Sequence, residues 1–118
     1  LPVNGTAFSI AGLEVDTRTI PESFIVARRP RILPFASQFT EPEMLADALS
    51  IDQPVLMIAN AGVLVAGRSP LDAYDRLDVL EATAEALIDS RSLGEMSPMS
   101  ADVLHHLETT YMPAYLKG

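Results

Sequence analysis

Between Pro54 and Ile88 the spacing of apolar residues changes from strand-like runs to a helical period, and the boundary sits near residue 68. Before it, "VLMIAN" and "GVLVAG" are two short apolar, β-branched runs hinged on Asn60-Ala61-Gly62. They read as paired strands buried on both faces, with Asn and Gly supplying the positive φ that a tight reversal needs. After it, Ser69-Pro70 opens the strongest helix in the sequence, with Ser at the cap, Pro at the first helical position and Asp72 near the positive end of the dipole. Ala73, Leu77, Leu80, Ala84, Leu87 and Ile88 recur at three-and-four spacing as its inner stripe. Asp75, Arg76, Asp78, Glu81 and Glu85 are expected mostly on its solvated side, and Gly94 marks its end.

The flanking elements are shorter. Thr6 to Ala11 fits a brief helix that follows an Asn4-Gly5 turn and stops at Gly12. The segment "IPESFIVARRPRILPF" holds two apolar runs, Ser23 to Ala27 and Ile32 to Phe35, and the second reads as a short strand. Thr40 with Glu43 three residues on predicts a capping box that starts a helix running to about Ser50, with Leu45, Ala48 and Leu49 inward. A last helix is expected from Ser100, carrying Val103, Leu104, Leu107 and Tyr111 on one face until Pro113 interrupts it.

Composition narrows the function classes. The 118 residues fit a single domain, read here as residues 1–118, and 48% hydrophobic content is enough for a core. The chain opens at Leu1-Pro2 without a methionine, which raises the expectation of a processed product or of the later part of a longer polypeptide. With no cysteine, disulfides, zinc–thiolate sites and thiol nucleophiles are excluded, and a reducing, cytoplasmic setting is the natural reading. A net charge of −8 argues against binding nucleic acid or an anionic membrane surface. No apolar run approaches the ~18 residues of a membrane span, so a soluble protein is expected.

Few side chains suggest chemistry. His105 and His106 are adjacent on a helix and point about 100° apart, so they do not converge easily on one ion, and a solvated role is favoured. Arg28, Arg29 and Arg31 form the only basic cluster, which could fork onto an anionic ligand but more simply pairs with nearby acids in a loop. Tyr111 and Tyr115 could act as acids in a neighbouring subunit's cleft, although interface packing is the simpler reading. Glu22, Asp72, Asp75, Asp78 and Glu81 show no pattern that sets two carboxylates on one inward face, and solvated surface is expected.

The segment "VLMIANAGVLVAGRSPLDAYDRLDVLEATAEALI" resembles the class II aldolase/adducin-type family, in residues that include those of Asn60-Ala61-Gly62. That family's pattern is an apolar strand, an Asn-His-Gly turn, a second strand ending in Gly, then a helix with an Ala-Tyr/Phe pair and a Leu-Glu pair. Val55 to Ile58, Asn60, Gly62, Gly67, Ala73-Tyr74 and Leu80-Glu81 occupy those places, and "PVNGTAFSIAGLEVDTRTIPESFIV", "ILPF" and "EPEMLADAL" follow the family's middle segments in order. The resemblance implies a three-layer α/β/α fold with a mixed or mainly antiparallel central sheet, assembled as a homotetramer. It also implies a carbon–carbon lyase ancestry, in which histidines hold zinc or manganese to polarise a small sugar-phosphate-like or hydroxy-acid substrate for aldol cleavage, epimerisation or decarboxylation.

The family's ligands are a His-x-His motif just before the "GTAFS"-like helix and the His of the turn. In this sequence the turn position is Ala61, which has no lone pair, and the first motif would fall on or before Leu1, with no histidine ahead of His105. A divalent cation is therefore implied by the family without ligands for it in this chain. Three readings stay open. The chain could be the later part of an aldolase-type enzyme; it could be a non-catalytic assembly or binding descendant, as the adducin head domain is within this family; or it could be a metal-free enzyme with an anionic small-molecule substrate. If chemistry survives, Asn60, Ala61 and Gly62 would line the pocket while Arg28, Arg29 or Tyr111 contacts the anion.

Overall fold

The structure is a computed structural model and describes residues 2–117. Its centre is a three-stranded mixed sheet of β1 (Arg31–Leu33), β2 (Val55–Ile58) and β3 (Gly62–Val65) in that spatial order. β1 runs parallel to β2, with Arg31 beside Leu56 and Leu33 beside Ile58, and β3 returns antiparallel to β2. Every residue of the central strand β2 is buried, which matches its unbroken apolar run. β3 is only half-buried beyond Gly62 because it is an edge strand, so the expectation of burial on both faces holds for one strand of the pair.

Alternation along β2 divides the core into two layers. Val55 and Met57 face α1 (Val3–Ala11) and α5 (Pro70–Ser90), meeting Phe8, Leu80, Ala84 and Leu87. Leu56 and Ile58 face the other way, with Leu33, onto Leu45 of α4 (Pro42–Ala48). Helices thus cover both faces of the sheet, giving the expected α/β/α layering. A third cluster lies outside these layers, where Phe24 of α2 (Pro21–Ala27) meets Leu107 and Met112 of the C-terminal arm. Among the described residues no helix is long and apolar enough to cross a membrane.

Several local expectations are corrected. Asn4-Gly5 is not a turn before α1 but part of its first turn. The Glu81 carboxylate of α5 accepts from the Asn4 and Gly5 backbone N–H groups and from Asn4 Nδ2, each at 2.8 Å, so an acid expected in solvent instead caps a neighbouring helix. Gly5 is small for a reason, since a Cβ there would stand 3.1 Å from Val63 Cγ2. The capping box at Thr40 does not form. Thr40 is the last residue of α3 (Ser37–Thr40), its hydroxyl donates to Ala36 O at 3.2 Å, and α4 opens after Glu41 with no side-chain cap.

In α5, Ser69 caps as expected, accepting from Asp72 N at 3.1 Å. Ile88, placed on the inner stripe, is 38% exposed, because the helix runs past the edge of the core near its C-terminal end at Ser90. Arg76, placed outside, is buried instead. Gly94 lies four residues beyond the end of α5 (94 − 90) rather than at it. The C-terminal arm runs through α6 (Ala101–His106), a π-helical turn (Leu107–Tyr111) and α7 (Met112–Lys117). Pro113 therefore does not end the helix: the wide turn just before it accommodates the missing N–H and the ring. The turn also rotates the face, leaving Val103 and Tyr111 exposed while Leu107 and Met112 are buried.

Candidate functional site

The β2–β3 reversal carries the residue that decides the site. Ala59, Asn60 and Ala61 form the bend; Asn60 takes φ 60° and Gly62 φ 149°, backbone that favours Asn and Gly as the sequence suggests. The bend is closed by Ala61 N donating to Ile58 O at 3.0 Å. It is also tied to α1: Ser9 Oγ donates to Ile58 O at 2.5 Å and accepts from Ala61 N at 3.2 Å, while Ser9 O accepts from Asn60 N at 3.2 Å. Asn60 and Ala61 stand exposed at the tip. Sequence reasoning missed Ser9; the only signal was a polar residue in an otherwise apolar stretch of helix.

The other proposed contacts are spread over the molecule. Leu33 O accepts from Ala59 N, so the C-terminal ends of β1 and β2 adjoin the bend. Arg28 and Arg29 precede β1 and so lie at the opposite end of the sheet, where Gln53 Nε2 donates to Arg29 O at 2.5 Å. Arg28 has φ 59° and stacks its guanidinium 5.4 Å from the centre of the Phe24 ring, with Nε and Nη1 buried and without a partner among the described residues. Arg29 lines a cavity of about 350 Å³ with Arg18 and Asp16, the latter held below the usual carboxylate range by its hydrogen bonds and ion pair to Arg18. Tyr111 is exposed on the arm and meets His106 edge-on at 5.5 Å. His105 and His106 are exposed, and Thr110 is the partner of His106 Nδ1 at 3.4 Å. Glu22 and Asp78 are both exposed and line one shallow cavity beside the buried Ser23 and Thr83.

A polar hub that the sequence did not suggest lies at the start of α5. Asp72 receives Arg68 through its backbone N–H at 2.8 Å and its guanidinium at 3.1 Å, and Arg76 Nε at 3.3 Å. Arg76 Nη1 also donates to Val26 O at 2.6 Å, and both guanidiniums sit 5.3 Å from the centre of the Tyr115 ring. The signal was Asp72 and Arg76 at i, i+4 on one helix face, with Arg68 just ahead of the cap. The bonds from Arg68, then the charge of Arg76, hold the Asp72 carboxyl well below its ordinary range. Because the folded-state value is depressed, the hub's stabilisation is complete above the unfolded value near pH 4 and is lost as pH falls below it. In urea titrations Asp72→Asn is expected to be less stable than wild type at pH 6, with the gap shrinking toward pH 3.

The donor set at the bend does not fit a divalent ion. Ala61 presents a methyl group, Asn60 and Gly62 offer only amide groups, and among the described residues no three His, Asp or Glu side chains lie together as ligands. The place where a first His-x-His motif would end, on or before Leu1, lies outside the described residues.

No curated protein and no solved structure matched the chain. The family model described as the Class II Aldolase and Adducin N-terminal domain matches residues 2–88, a span that takes in α1, the whole sheet, the Asn60–Gly62 bend and nearly all of α5. Arg68, Asp72 and Arg76 of the hub and the α1-capping Glu81 fall inside that span, Tyr115 and the rest of the C-terminal arm lie beyond it, and the chain belongs to the class II aldolase/adducin family.

Proposed function

We propose that this chain is a domain of lyase ancestry whose metal grip is disabled at residue 61, and that its role is binding or assembly on the retained fold. The observation that carries the reading is the bend itself. Its backbone is held in place by Ser9 and the β2–β3 pairing, yet its tip offers a methyl group where the family resemblance implies an imidazole. Exposed apolar side chains such as Phe35, Phe39, Leu71 and Tyr74 support self-association, with a homotetramer as the form the resemblance implies.

Lyase chemistry on a small sugar-phosphate-like or hydroxy-acid substrate is the second reading, favoured by the preservation of that bend in an exposed position. Substituting Ala61→His separates the two. A catalytic zinc takes three protein ligands, so one added imidazole is expected to leave calorimetric zinc titrations without a tight, stoichiometric site. Stoichiometric uptake would mean that the remaining ligands are in place and would restore the lyase reading.

A further inference from the structure

We infer that Ser9 is the positioning residue of the Asn60–Gly62 bend, so that the direction of the side chain at position 61 is fixed by helix α1 in addition to the bend's own sequence. A buried helical serine ordinarily returns its hydroxyl to a carbonyl one turn earlier in its own helix. Ser9, which is 0% exposed, does not: its hydroxyl reaches Ile58 O, 49 positions away, and receives Ala61 N, 52 positions away. Its carbonyl takes Asn60 N as well. One residue of α1 therefore serves three backbone groups of the bend, including the N–H of the residue at its tip.

The bracket is stiff at its other end. Glu81 fixes the first turn of α1 to α5 through three bonds of 2.8 Å, and Phe8, next to Ser9, is packed in the core against β2 and α5. An αL residue such as Asn60 costs free energy in isolation, so a bend left to itself would sample other conformations. The hydroxyl's two bonds oppose that sampling. The significance of position 61 rests on the proposed function, but the positioning itself does not, and its test needs no metal.

The chain has no cysteine, so Ala61→Cys gives a unique attachment point for a nitroxide. With Ser9 present, the spin-label spectrum at position 61 is expected to show restricted motion; adding Ser9→Ala should mobilise it well below the melting temperature. Amide exchange by NMR supplies the independent arm. Ala61 N–H should be protected in wild type and lose about tenfold of that protection in Ser9→Ala, while Met57 in β2 keeps its own. An unchanged spin-label spectrum, a loosening shared equally by Met57, or wild-type exchange at Ala61 as fast as in a free peptide would overturn the assignment. A zinc result at Ala61→His that contradicts the proposed function leaves these readouts unaffected.

Discussion

Gly67→Ala is expected to destabilise the fold by about 3 kcal/mol, the cost of overpacking where neighbours cannot retreat, and to lower Tm by at least about 10 °C. Gly67 follows β3 and leads into α5, and a Cβ there would lie 2.5 Å from Ala73 N and 2.9 Å from Ala73 Cα. Both atoms belong to the first turns of the longest helix, so relief requires moving the start of α5 away from the sheet. That shift would also disturb the Arg68–Asp72–Arg76 hub and with it the docking of Tyr115. Thermal unfolding followed by circular dichroism checks the prediction. A Gly67→Ala protein that melts with wild type would show that the approach of the two backbones is looser than described.

The second large effect is expected at Glu81. Replacing it with alanine removes three charge-assisted acceptor contacts from the N-terminus of α1 and leaves two backbone N–H groups without their partner. Partial solvent access reduces the penalty, and about 2 kcal/mol is expected. Glu81→Gln keeps the shape with one carbonyl oxygen and should lose roughly half of that, since one neutral acceptor replaces two charged ones. Urea midpoints for the two variants measure it. Equal stability of Glu81→Ala and wild type would mean that α1 is held by Phe8 and the sheet alone.

These two residues mark what could be read in the sequence and what could not. The strands, their antiparallel pairing and the cap of α5 follow from local pattern, because apolar runs, an Asn-Gly reversal and Ser-Pro act through their immediate neighbours. The family resemblance located Gly67 and Glu81 without a reason for either; the reasons are a close backbone approach and a cap supplied across 77 positions of sequence. Arg76 defeated the helical pattern for a similar cause. A guanidinium reads as solvent-facing unless its acceptors are known, and one of these, Val26 O, is 50 positions away.

The candidate site divides in the same manner. The bend at Asn60–Gly62 was legible because positive φ is written in residue type, and the consequence of Ala61 is local chemistry. The proposed anion contacts were not assembled by that logic: Arg28 and Arg29 fall before β1, at the other end of the sheet from the bend, a fact set by the parallel register of β1 and β2. Thr40 shows the converse error, a local motif that fits on paper but is overridden because Thr40 already closes the preceding helix α3.

The most direct measurement is elemental analysis of the wild-type protein purified without chelator. The methyl group at position 61 and the lack of a clustered donor set among the described residues lead to the expectation of zinc and manganese far below one ion per chain. One tightly held divalent ion per chain, located beside Ala61 by anomalous scattering, would contradict the account.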